Sequence, residues 1–343
     1  MMKKKRFLLF FAAILLFISL VSCGNSLATG IVGGDNDESS GGALVWTTVG
    51  DSTFDTSDII AGIAWGNGKF VAVGGDADGS IAGKMAYSVD GINWTAVVDS
   101  TFGTSPILAI AWCNNMFVAG GVGGKMATSP DGEIWTAVSN STFGTDTIIR
   151  IAWGNNKFVA VGEKGKIAHS TDGKNWTAVV DSTFTSTDMI LGIAWGSNKF
   201  VAVSIEGRMA HSDDGVTWTA VSPSPFATDG ILGIAWGNGK FVAVGGTDNS
   251  SKMAYSADGE NWTAVGDGIF GATPIFGIAW GNNKFVAVSI EGKIACSPDG
   301  IKWTSRSGSG SPFSASDFII SIAYGNGKFV IVGKNGKIAY LNN

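Results

Sequence analysis

Apolar and polar positions along this chain are arranged in short runs, four to a unit, and the unit recurs. From Ile59 to Val98 the runs are IIAGIAW, KFVAVGG, KMAYS and WTAV, each of strand length. Gly66-Asn67-Gly68 separates the first two, a tight hairpin signal, and no helix-start pattern interrupts the series. Strand-length runs punctuated by turn residues predict an all-β chain.

The phrase IAWGNGKFVAVG recurs with its aromatic at Trp65, Trp112, Trp153, Trp195, Trp236, Trp280 and Tyr324, at intervals of 41 to 47 residues. A second Trp, always followed by Thr, recurs at Trp46, Trp94, Trp135, Trp176, Trp218, Trp262 and Trp303. Four strands per unit and a period in the low forties predict a seven-bladed β-propeller with four-stranded blades. The two ends are out of phase with the unit. ALVWTTVG is a fourth strand without the first three, and KIAYLNN is a third strand without a fourth. The N-terminal strand is therefore expected to complete the last blade and close the ring, leaving no open sheet edge.

The propeller is expected over residues 43–343. Before it, a basic cluster from Lys3 to Arg6 and an apolar run from Phe7 to Val21 read as a signal peptide over residues 1–22, too short to span a bilayer. Leu20-Val21-Ser22-Cys23 resembles the lipobox of bacterial lipoproteins. That resemblance implies cleavage before Cys23 and acylation of its thiol, with several acyl chains making a stable anchor. It also implies, from Gly24 where an inner-membrane retention signal has Asp, placement in an outer membrane or at the cell surface. Residues 23–42 are rich in Gly, Ser and acid and read as a flexible tether.

Without the leader's four basic residues, 19 basic stand against 28 acidic residues, a net charge of −9. Such a balance argues against nucleic acid or anionic lipid bound through bulk charge. Cys113 and Cys296 occupy different parts of different repeats and are expected to be free thiols.

The third and fourth strands of six units are joined by S-x-D-G-x-x-W, with the acids Asp90, Asp131, Asp172, Asp214, Asp258 and Asp299. Asp and Ser side chains accept hydrogen bonds from backbone N–H groups at a turn, and Gly supplies a positive φ. A residue required once per blade serves the blade, so these aspartates are expected to be structural. The motif resembles the Asp-box (BNR) repeats of sialidases, sortilin-type receptors, a photosystem II assembly factor and xyloglucan-degrading enzymes, here without the residue that usually separates Asp from Gly.

The sialidase branch of that resemblance implies an arginine triad, a tyrosine with a carboxylate partner, and an acid. The chain beyond the leader has only Arg150, Arg208 and Arg306, at unrelated positions of their repeats. His169 and His211 precede two of the boxes in a slot held elsewhere by Tyr or Thr, and read as strand residues. Phe54, Phe102, Phe143, Phe184, Phe226, Phe270 and Phe313, one in each connection between units, read as packing between blades.

One further constellation stands out. Seven residues before each first-strand aromatic stand Asp58, Ser105, Asp146, Asp188, Asp229, Thr273 and Asp317. These slots are expected to encircle the mouth of the channel. Either their side chains terminate the loop and satisfy a backbone donor, or they form an acidic collar for a divalent cation or a basic group. Four positions later come Gly62, Ala109, Arg150, Gly192, Gly233, Gly277 and Ser321, small where blades converge. Arg150 is the exception, expected to pair with Asp146 within the collar.

The sequence thus predicts a monomeric, extracytoplasmic propeller held by lipid to a membrane of a bacterial cell envelope. It would act as a non-catalytic binding or assembly scaffold for a protein or glycan partner, with no cofactor other than the divalent cation considered above. The alternative is a sialidase-like glycoside hydrolase or a lectin acting on surface glycans.

Overall fold

The computed structural model describes residues 45–76, 83–266, 269–305, 312–313 and 317–342. Their strands form seven four-stranded antiparallel sheets, and their only helical elements are two three-residue 3-10 turns, Val122–Gly124 and Glu163–Gly165. Cys23 and the expected leader and tether lie outside the described residues.

Blade 1 consists of Asp58–Gly66, Lys69–Asp76, Lys84–Ser88 and Thr95–Ala96. Its second strand shows why the apolar runs are continuous. Phe70 and Ala72 pack with blade 7, whereas Val71 and Val73 pack with blade 2, so both faces of the sheet are buried. Between the first two strands Asn67 has φ 47° and Gly68 φ 71°, the pair of positive values that a two-residue hairpin matched to strand twist requires.

Blade 7 takes Ile319–Gly325, Lys328–Gly333 and Ile338–Asn342 from the C-terminal end and Thr47–Thr48 from the N-terminal end. Thr47 is paired with Tyr340 and Thr48 with Ala339, and Val49 N–H donates to the Ile338 carbonyl at 2.9 Å. Trp46, 7% exposed, packs into a cluster that includes Phe285 and Leu341. The ring closes as the phase of its ends requires.

First strands contact first strands all the way round, so they form the innermost ring. Each carries a β-bulge at the same place, for example between Ile148 and Arg150 and between Ile190 and Gly192. The bulged residues Ala61, Leu108, Ile149, Leu191, Leu232, Phe276 and Ile320 are buried and gather into two clusters, an apolar layer across the axis. The opposite end of six first strands is a glycine fixed by a close approach, and the strand of the second blade ends in Cys113 instead. A Cβ on Gly66 would stand 1.8 Å from Cγ of Trp112 in the next blade, so a side chain there would displace that indole.

Among the connecting phenylalanines Phe102, Phe143, Phe226, Phe270 and Phe313 are buried, and Phe54 and Phe184 are half-buried. Cys296 is a buried free thiol. Cys113 is disulfide-bonded, which corrects the expectation of a free thiol there.

Candidate functional site

The two faces of the ring differ in chemistry. On one, the Asp boxes meet the hairpins of the preceding blades. Asn67 Nδ2 donates to the Pro130 carbonyl at 3.3 Å and Asn155 Nδ2 to that of Asp213 at 3.0 Å. Within a box the carboxylate organises the turn. Oδ1 of Asp172 accepts from the backbone N–H of Lys174 at 2.9 Å and of Asn175 at 2.7 Å, and from Ser170 Oγ at 3.0 Å, while Oδ2 accepts from Asn175 Nδ2 at 2.7 Å. Gly173 takes φ 70°, and Trp176 Nε1 donates to its carbonyl at 2.9 Å. These bonds, led by the Asn175 N–H, hold the Asp172 carboxyl well below the usual carboxylate range.

The other face carries the collar slots, and each of the five aspartates meets a basic side chain of its own blade. Asp58 accepts from Lys84 Nζ at 2.6 Å, Asp146 from Lys164 at 2.6 Å and Lys166 at 2.8 Å, and Asp188 from Arg208 Nη1 at 2.6 Å. Asp229 accepts from Lys252 at 2.9 Å and Asp317 from Lys337. Where the slot holds Thr273, Lys293 Nζ donates to its hydroxyl at 2.8 Å. Two of the carboxylates also close their loops. Asp55 N–H donates to Asp58 Oδ2 and Thr185 N–H to Asp188 Oδ2, both at 2.6 Å. The collar is therefore a rim of ion pairs, and its carboxylates are not left to repel one another.

Two parts of this rim escaped the sequence reading. One is a base at the start of every third strand: Lys84, Lys125, Lys166, Arg208, Lys252, Lys293 and Lys337. Its seven-fold recurrence was a signal in plain view. The other is an acid between the second and third strands of three blades. Glu163 accepts from Thr147 N–H at 2.8 Å, Glu206 from Met189 N–H at 3.3 Å, and Glu291 from the Thr273 hydroxyl at 2.7 Å. Burial, opposed by the Met189 N–H and reinforced by the adjacent Asp188 carboxylate, pushes the Glu206 carboxyl up to about 7.

Arg150 does not join the collar. Asp146 is taken by Lys164 and Lys166, while Arg150 is 1% exposed and its Nη1 donates to the carbonyl of its neighbour Ile149. The expected pairing assumed unbroken alternation along the strand, and the bulge between Ile148 and Arg150 shifts that parity. His169 and His211 are half-buried strand residues opposite Val159 and Val201. Among the described residues no group of three or more His, Cys, Asp or Glu side chains converges as a metal site.

Comparison with known proteins agrees with this architecture. The family described as the DUF6242 beta propeller domain matches residues 104–236, less than half of the chain. No curated relative matches the sequence. Among solved structures the chain is similar to YCF48 bound to D1 peptide, with 16% identity, 88% of this chain and 95% of that one covered, and a TM-score of 0.66. YCF48 from Cyanidioschyzon merolae gives 17% identity, 87% and 99% coverage, and 0.66. Virginiamycin B lyase from Staphylococcus aureus gives 13%, 88% and 99%, and 0.70. Likeness at these identities establishes the shared propeller fold.

Proposed function

We propose that this chain is a non-catalytic binding propeller for a protein partner, held by an acylated Cys23 at a membrane of a bacterial cell envelope. The observation that carries the reading is the uniformity of the loop-face rim. A hydrolase acting on glycosides places two carboxyls roughly 5 Å or more apart across one cleft. Here the collar carboxylates are spread around the ring and joined to bases. Asp188 and Glu206 are the pair drawn together, and the Asp188 carboxylate helps burial to raise the Glu206 carboxyl. A rim of this kind offers a broad, even docking surface. The similar structure of YCF48 holding a D1 peptide supports a protein partner as the class to test first.

The test is affinity capture from envelope extract with the mature chain, beside the same chain carrying Val98→Asp and Val180→Asp, since both valines are fully exposed in the connections that follow the fourth strands. We expect a saturable protein partner whose capture weakens in the double variant. Binding on a glycan array with no protein captured would move the chain to the lectin reading.

A further inference from the structure

The slot following the apolar layer holds Gly62, Ala109, Gly192, Gly233 and Gly277 in five blades. It is tightly walled. A Cβ on Gly192 would stand 2.8 Å from Val203 Cγ2 and 3.2 Å from Ile234 of the next blade, and one on Gly233 would stand 3.1 Å from the Phe276 carbonyl oxygen. Two blades depart from this pattern, and both place buried polar atoms in the same layer. Arg150 is 1% exposed with Nε and Nη2 unpartnered, and Ser321 is fully buried with Oγ unpartnered.

A guanidinium keeps its proton under all ordinary conditions, so its charge cannot be discharged by titration. Burial disfavours that charge strongly, and no acid among the described residues opposes the effect. Asp146, the nearest acid in sequence, is already paired with Lys164 and Lys166. Each first strand is the terminal strand of its sheet, and the first strands form the innermost ring. Their free edges, with backbone N–H groups outside the ladder, therefore line the axis. The cation of the third blade, the hydroxyl of the seventh and the edge donors thus lie at one level of the ring, where no acid of the described residues is paired with the cation.

We propose that Arg150 is the cationic anchor of a small-anion site at the propeller axis, filled by a monovalent inorganic anion such as chloride, with Ser321 as a second polar group of that layer. One negative charge matches one guanidinium, whereas a doubly charged ion would leave an excess buried charge. Macromolecular carboxylates are excluded by the apolar layer, which lies between this slot and the collar face.

The test compares the mature wild type with Arg150→Gly, the residue that four blades already carry in this slot. Thermal unfolding is followed in sodium chloride and in sodium gluconate at equal ionic strength. The wild type should gain about 2 °C for each tenfold rise in chloride above half-saturation. Arg150→Gly should show no such gain and should be no less stable than the wild type in gluconate. Crystals grown in bromide give a second readout that needs no variant, with an anomalous peak expected within hydrogen-bonding reach of Arg150 Nε or Nη2. An unchanged chloride response in Arg150→Gly, or bromide crystals without that peak, would overturn the proposal.

Discussion

Gly325 of the last blade lies directly beneath Trp65 of the first: a Cβ on Gly325 would stand 2.2 Å from the Trp65 Cγ and 2.6 Å from its Cβ. The contact that joins neighbouring blades elsewhere is thus repeated across the seam. Gly325→Ala should displace the indole and cost about 1–3 kcal/mol, as overpacking does. Trp46→Ala, on the other side of the same blade, should cost about 3–5 kcal/mol. Both are read from urea denaturation midpoints at unchanged slope, and a loss under 0.5 kcal/mol in either would show that the seam does not limit stability.

Asp172→Ala removes the acceptor of two backbone donors and should cost about 1–3 kcal/mol, with Asp172→Asn milder because one oxygen accepts both. The carboxyl is held low in the folded chain. Its stabilisation is therefore present above the unfolded value near pH 4, and is lost as pH falls toward the lower folded value. All six box aspartates are shifted in this direction. Thermal melts between pH 5 and 2 should show a steep acid limb, shallower in Asp172→Asn.

Glu206 has the opposite sign. Its folded value near 7 exceeds that of an unfolded glutamate, so its contribution is complete below about pH 4.3 and disappears as pH rises through 7. Glu206→Gln should melt higher than the wild type at pH 8, with the gap closing as pH falls to about 4. A difference that does not change with pH would refute the assignment.

If the collar carboxylates serve the rim alone, calcium, magnesium and a polyamine should give no saturable rise in melting temperature. A saturable rise that disappears when Asp58, Asp188 and Asp229 are all changed to Asn would establish the cation reading instead.

Acylation at Cys23 would convert its sulfur to a thioether and add the mass of its acyl chains. Mass spectrometry of the mature protein should find a diacylated N-terminal cysteine, and Cys23→Ala should lose acyl label and membrane association. Recovery of a mature N-terminus without acyl groups, or acyl label that persists in Cys23→Ala, would overturn the anchor.

The fold was legible because strand periodicity and hairpin residues recur seven times, so one ambiguous repeat is corrected by the next. Closure was legible from the phase of ALVWTTVG against KIAYLNN. The collar was legible as a set of positions but not as chemistry. Asp188 and Arg208 stand 20 residues apart, and their contact depends on how the second and third strands return the chain to the loop face. Arg150 was misread for a local reason. The bulge at Ile149 leaves no mark in the sequence of that strand, so parity counted from Asp146 placed the Arg150 side chain on the wrong side.

The seam also decides where the ring yields to force. Anything attached ahead of Val45 pulls on Thr47–Thr48, a strand two residues long at the outer edge of blade 7. Tension on that leash is borne by the Tyr340 and Ala339 pairings and by Trp46 before it reaches any complete blade. Under load the molecule should open like a clasp, one blade losing its outer strand while six stay whole.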